Sequence, residues 1–511
     1  MTNKIKNKNR LLEYYHLIIN TVSFIIYYIS QRSSSILHQT LLTTRPTIEK
    51  IGTISRYRHT DYGLLVSSAV LGIIIGIFVV IFHKGVEFGE VVFKNLTFQA
   101  EGIIPWKIIV FPLIPALGGL AIGLLKKTIF KGATIEGLGT LIEALVYRDG
   151  KIDWRNSFKS ILFAALSIGS GGGAGREGPT IVLGASLGST IAQIIRLRPE
   201  QLRVLCGSGA AAAISGIFNA PLGGIIFAME GIIGETKIRT FVPLVISSVL
   251  STATARLFLG DNPLLITPEI FNVHLADYFL LAAAGMLSGV MSIYFLKAYY
   301  WSSEKTIKFV KPFPEIYRPA VGGILVGIIL LILPTMWETS YNPINYVIAG
   351  KGMPLLDNSI FENIKVLFKG DSIFILWLLV AAATVLIKPI SNAVTLASGG
   401  AGGTLAPVIK VGAMFGFCFG SILQLIFPDT SPGLYAIVCA GAALAGSFQM
   451  PLAGGIILFE ICRNYDLILP LIFSSVFASF IVQKAGIRTF NPLQREFVDD
   501  DEKLHPLLKS K

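Results

Sequence analysis

The chain has 511 residues, 53% of them hydrophobic and only 14% charged. Soluble domains carry about 25% charged residues, so the composition argues against a water-soluble enzyme or regulator. The net charge of +12 does not point to nucleic acid either, because nine Lys or Arg lie before residue 60, opposed only by Glu13 and Glu49.

In chain order, the basic start places the N-terminus in the cytoplasm or its equivalent. Within this 1–60 segment, Leu17–Ile29 is apolar but interrupted by Asn20 and Thr21, with no small-residue cleavage site after it. It reads as an amphipathic or embedded helix; a transit peptide is the alternative that the Ser/Thr-rich, acid-poor composition leaves open. Apolar stretches follow at Leu64–Phe82, Ile108–Leu125, Ile161–Ile168, Phe241–Leu259, Tyr278–Phe295, Ala320–Leu333, Ile373–Ile387, Val411–Phe427 and Leu467–Val482. A full span needs about 20 apolar residues. Several stretches are shorter and many are cut by Gly or Pro, the pattern of tilted and broken membrane helices. The tail, 493–511, is short and polar. Cys206, Cys418, Cys439 and Cys462 sit in apolar segments without ligand spacing and read as small buried hydrophobes. No metal or cofactor is expected.

The chemistry concentrates in the run Gly169–Ile181, which contains Gly175-Arg176-Glu177-Gly178-Pro179. A glycine-rich break in a membrane helix frees backbone N–H groups that lipid does not tolerate, so it must be buried in protein or line a cavity. Free N–H groups at a helix start attract anions. Glu177 is then an anion that the chain carries itself, placed to compete for that seat. A helix-capping glutamate is the bland alternative.

The chain also matches itself. With Pro179 set on Pro407, Gly175–Pro179 lies on Gly403–Pro407, and Gly184, Ala185 and Gly188 fall on Gly412, Ala413 and Gly416. A second block sets Phe218–Glu230 on Phe448–Glu460, with the offset changed by only two residues. Two collinear blocks indicate duplicated halves, taken as 61–260 and 276–492. Such halves bracket a midplane site built from half-helix ends. A buried anion needs backbone amides or hydroxyls in place of its water, and glycine lets amides approach closely. Gly175, Arg176, Glu177 and Gly178 would offer one N–H cluster, and Gly403, Thr404 and Leu405 a second. Arg176 either ties down its loop or focuses anions. For Glu230 and Glu460, helix-end or interhelical hydrogen bonding is favoured over a transport role. Lys410, inside an apolar stretch, snorkels, pairs with a carboxylate or attracts anions; the sequence leaves all three open.

These residues resemble the CLC family of chloride channels and proton-coupled anion exchangers. Gly-Arg-Glu-Gly-Pro at 175–179, Phe218-Asn219-Ala220-Pro221-Leu222 and Gly402-Gly403-Thr404-Leu405-Ala406-Pro407 carry the resemblance, which covers about Leu64 to Pro492. It implies an all-α integral membrane protein with an inverted repeat of tilted and broken helices. It implies a homodimer with one anion pathway per subunit, and Glu177 as gate and proton carrier. The substrate would be chloride or a similar small anion, with H+/Cl− antiport as the activity. The alternative is a voltage- or pH-gated chloride channel without proton coupling. The chain as given ends at Lys511, so the cytoplasmic CBS modules of many members are expected to be missing. The expected address is a bacterial inner membrane or an organellar membrane such as a plastid's.

Four positions depart from the family pattern. Gly231 stands where many exchangers have an inner proton-relay glutamate. The anion-binding serine of an early element is replaced by Glu136 or Ala133, depending on register. The tyrosine that closes the central site corresponds to Phe490, and Leu405 replaces a phenylalanine. Chloride is therefore a default, with nitrate, bromide and fluoride left open. An intramembrane hydrolase is a competing class, because Gly184-Ala185-Ser186-Leu187-Gly188 fits Gly-x-Ser-x-Gly. It is disfavoured because none of the six histidines lies in the glycine-rich core. A purely structural or receptor role would not need glycine-rich breaks in both halves.

Overall fold

Apolar stretches cut by Gly and Pro become helices of unequal length. The computed structural model describes residues 61–98, 104–130, 141, 144–145, 150–234, 237–267, 277–337, 341–349 and 372–491. The segment 1–60, the element containing Ala133 and Glu136, and the tail 493–511 lie outside the described residues. The first half holds α1 (Asp61–Phe98), α2 (Ile104–Thr128), α3 (Arg155–Gly169), α4 (Glu177–Ile194), α5 (Pro199–Phe218), α6 (Pro221–Ala228) and α7 (Ile238–Leu259). The second holds α8 (Asp277–Val310), α9 (Arg318–Ile332), α10 (Asn342–Ile348), α11 (Ser372–Ala397), α12 (Leu405–Ile426), α13 (Pro432–Phe448), α14 (Pro451–Cys462) and α15 (Ile468–Lys484). Seven helices among the described residues are long and apolar enough to cross a membrane. Others, such as α6 and α14, are too short to do so alone.

The repeat seen in the sequence is a repeat in space. Helices α4 and α12 begin at equivalent residues, Glu177 and Leu405, and α6 and α14 at Pro221 and Pro451. Helix α4 packs on α5 as α12 packs on α13, and α7 on α1 as α15 on α8. The halves meet at an antiparallel bridge: Gly175 N–H donates to Gly403 O at 2.8 Å, and Gly403 N–H to Gly175 O at 2.6 Å. Helices α4 and α12 start immediately beyond it, so they meet N-terminus to N-terminus from opposite directions. That is the inverted arrangement.

Small residues set the spacing. A Cβ on Gly184 would stand 2.1 Å from Gly209 O, and one on the equivalent Gly412 2.6 Å from Cys439 O. Close backbone contact of this kind replaces the hydrophobic drive that lipid cannot supply. It also accounts for the Gly-x-Ser-x-Gly match: Ser186 is fully buried in mid-helix and its flanking glycines are packing contacts, not a strand-to-helix elbow. The central helices α5 and α13 are buried almost all round, as their Gly- and Ala-rich sequences allow. Cys206, Cys439 and Cys462 are buried thiols, and Cys418 is partly buried.

Each half also caps the other. The Glu230 carboxylate accepts from Leu452 N–H at 3.2 Å and Ala453 N–H at 2.8 Å. Glu460 accepts from Leu222 N–H at 3.1 Å and Gly223 N–H at 2.6 Å. Proline at the first position of α6 and α14 needs no acceptor, and the next two donors find one in the other half. The interhelical reading of both glutamates holds. At the surface after α7, Asp261 accepts from Arg463 and Asn219, residues that end α14 and α5. These bonds, Arg463's first, hold its carboxyl below the ordinary range.

Candidate functional site at the helix N-termini

Two helix starts converge in the buried centre. Each helix end carries roughly half a positive charge from its unpaired N–H groups. Pro179 and Pro407 sit third in α4 and α12, so unpaired donors are confined to the residues just before them. Glycine makes the convergence possible. A Cβ on Gly178 would lie 2.8 Å from Gly403 Cα, and one on Gly403 2.7 Å from Gly178 N. The loop before α4 is fixed from the other half: Gly173 N–H donates to Thr395 Oγ1 at 2.9 Å, and Asn392 Nδ2 donates to Gly173 O and Gly403 O.

One expectation is corrected here. The amides of Gly175 and Gly403, expected at the anion, each donate to the other's carbonyl. Their role is to join the halves. The other helix-start donors belong to Arg176, Gly178, Thr404, Leu405 and Ala406. Leu405, 2% exposed, is a helix-start residue packed in the core.

Glu177 is 1% exposed. Its carboxylate curls back over its own loop, so that a Cβ on Gly175 would meet Oε2 at 2.4 Å. The other oxygen, Oε1, accepts a hydrogen bond from the Tyr341 hydroxyl at 3.0 Å. Arg176 is 6% exposed; its Nη1 lies 3.0 Å from His83 Nδ1 and its guanidinium 5.7 Å from the Tyr341 ring centroid. These contacts favour the loop-tying reading of Arg176.

Lys410 does not snorkel. It is fully buried and donates to Thr335 O at 3.0 Å. Lys388, also fully buried, donates to Met336 O at 2.7 Å. Sequence reasoning missed Lys388, Asn392 and Tyr341. The first two carry the signal that flagged Lys410, a polar side chain inside an apolar helix.

Phe490 is not brought to Glu177. Its backbone N–H donates to Ser447 O at 3.0 Å, at the end of α13, and its ring lies 5.0 Å from Tyr299, 5.3 Å from Phe448 and 6.0 Å from both Phe295 and Tyr300. Gly231 is buried in the π-helical turn Met229–Ile233, and the Met450 side chain fills its surroundings: a Cβ would meet Met450 Cε at 1.9 Å.

A buried acid between two opposed helix starts, in an inverted repeat of broken helices, defines a membrane transport protein of the anion type. Residues 118–483 match the family described as voltage gated chloride channel, so the chain belongs to that family. It is 27% identical over 374 residues to a putative chloride channel protein ClcB-like of Ralstonia nicotianae, covering 71% of this chain and 80% of that one. It is 26% identical over 438 residues to the H(+)/Cl(−) exchange transporter ClcA of Vibrio parahaemolyticus, covering 84% and 88%. Among solved structures, a slow cyanobacterial Cl−/H+ antiporter superposes with a TM-score of 0.70 at 22% identity, covering 87% of this chain and all of that one.

Proposed function

We propose that the chain moves chloride or a similar small anion across a membrane, with Glu177 as a gate worked by protonation. The observation that carries this is the position of Glu177, buried beside two opposed helix N-termini. Together those ends amount to about one positive charge. An ionised Glu177 satisfies it and blocks the path. A protonated Glu177 does not, and a dehydrated anion takes the seat.

The same cycle moves a proton with each withdrawal of the gate, so H+/Cl− antiport is the activity put forward. Relatives named as an exchange transporter and an antiporter support it. Uncoupled conduction is the second reading. It is favoured by one observation, that Met450 fills the space at Gly231 where an inner acid would stand. The same proposal takes 61–260 and 276–492 as the two halves and a homodimer as the assembly, with one pathway per subunit. It places the protein in a bacterial inner membrane or an organellar one; bacterial relatives support the first.

Purified protein in liposomes tests this. An antiporter's reversal potential moves with the pH gradient, whereas a channel's follows chloride alone. Glu177→Gln is expected to keep anion flux and reduce proton movement to background. Proton coupling unchanged in that variant rejects the gate assignment.

A further inference from the structure

Tyr341 does something that helix starts and a movable acid do not require. It lies directly before α10, is 8% exposed, and gives its hydroxyl to Glu177 Oε1. The frame around it is rigid. Phe218 packs on the ring with centroids 6.5 Å apart, and the Arg176 guanidinium covers it. Helix α10 is pinned by Asn345, whose Oδ1 accepts from Ile266 N–H at 3.0 Å and whose Nδ2 donates to Leu264 O at 3.2 Å. Earlier in the chain, the turn Pro334–Met336 is held by Lys410 and Lys388, each on a carbonyl of that turn. Elements from both halves thus deliver one phenol to one carboxylate.

We propose that Tyr341 is the latch of the gate: its O–H fastens the ionised Glu177 carboxylate in its seat, so that release awaits a proton. The inference rests on Glu177 being the gate. A hydrogen bond to a charged acceptor is roughly twice as strong as one between neutral groups, so the phenol holds the carboxylate more firmly than it holds the carboxylic acid. The latch therefore sets how much acid opens the path, and it slows escape of the charged gate at neutral pH. The other charged groups on elements packed against α4 are Asp61, His83, Lys84, Glu87, Glu90 and Lys94 on α1, Arg155 and Lys159 on α3, Glu200 and Arg203 on α5, and Lys410 on α12, with Arg176 at the helix start. His83 is tied to Arg176, and Glu200 and Arg203 lie at the end of α5 remote from Phe218. Tyr341→Phe deletes one hydroxyl and leaves all of these in place.

The test is chloride flux from liposomes over a pH series, equal on both sides, for wild type, Tyr341→Phe, Glu177→Gln and the double variant. Removing the phenol is expected to raise neutral-pH flux about tenfold and move half-activation up by about one pH unit, the equivalent of one hydrogen bond to a charged group. The double variant is expected to match Glu177→Gln, because the phenol acts through the carboxylate alone. A wild-type pH profile in Tyr341→Phe overturns the latch. So does a Tyr341→Phe effect that persists undiminished when Glu177 is already Gln, since it would show a role independent of the gate. If Glu177→Gln changes neither flux nor coupling, the gate reading itself has failed, a distinct result.

Discussion

Phe218 and Phe448 occupy equivalent places in the two halves, at the ends of α5 and α13, yet their surroundings differ in kind. Phe218 packs against Tyr341, whose hydroxyl reaches Glu177. Phe448 packs against Phe490, within an aromatic cluster that includes Phe295, Tyr299 and Tyr300. One end of the duplicated scaffold therefore holds the titratable acid and a hydroxyl aimed at it; at the other, the ring packed on Phe448 is Phe490, which has no hydroxyl. On the proposed reading of Glu177, the symmetry supplies the frame, the differences within it supply a direction, and proton sensing belongs to the Tyr341 end.

The severest way to break the comparison is to separate the halves where they touch. Gly178→Ala and Gly403→Ala each push a methyl group into backbone that has no room to give. Overpacking of this kind costs about 1–3 kcal/mol, enough to splay the two helix starts. Loss of anion flux is expected from both variants, together with a lower melting temperature in detergent. Either alanine transporting like wild type would show that the close bridge at Gly175 and Gly403 is dispensable.

Much of this centre was legible in the sequence. Glycine runs closed by a proline marked the starts of α4 and α12, and the doubled Pro-to-Glu blocks marked α6 and α14 with their glutamates. Local chemistry decides those features, so single residues report them. Features that depend on distant partners were not legible. Nothing near Tyr341 in the chain says that its hydroxyl lands on Glu177, 164 positions earlier. Three of the four rings around Phe490, those of Phe295, Tyr299 and Tyr300, come from α8 in the opposite part of the second half. The mutual bonding of Gly175 and Gly403 was hidden for a related reason. The sequence shows which amides a glycine loop exposes, but their acceptors lie in the other half.

A middle-sized effect comes from the crossed caps. Glu230→Ala and Glu460→Ala each strip two helix-start N–H groups of their acceptor, at a cost of about 0.5–2 kcal/mol. Similar losses of melting temperature are expected from the two, because their geometries are near copies. Flux separates them. Glu460 caps α6, which follows Phe218, the ring packed on Tyr341, whereas Glu230 caps α14, which follows Phe448 at the apolar end. Glu460→Ala is therefore expected to disturb the pH profile more. Equal changes in pH dependence would mean that the proton response is shared by both ends and would undo the asymmetry.

The mildest change tests the apolar end directly. Phe490→Tyr adds one oxygen to a ring already braced by four aromatic neighbours. If the edge of that ring faces the anion path, the new hydroxyl becomes a donor to a dehydrated chloride. A hydrogen bond to a charged partner is worth about 1.5 kcal/mol at the lower end of its range, close to tenfold in affinity. Calorimetric titration of chloride into Phe490→Tyr in detergent is expected to show that tightening, with the midpoint of the pH profile unchanged because the latch is elsewhere. Unchanged affinity would place the ring edge against protein and leave the helix-start amides as the main source of anion binding. A shifted pH midpoint would mean instead that the two ends communicate, and that the direction read from their difference is wrong.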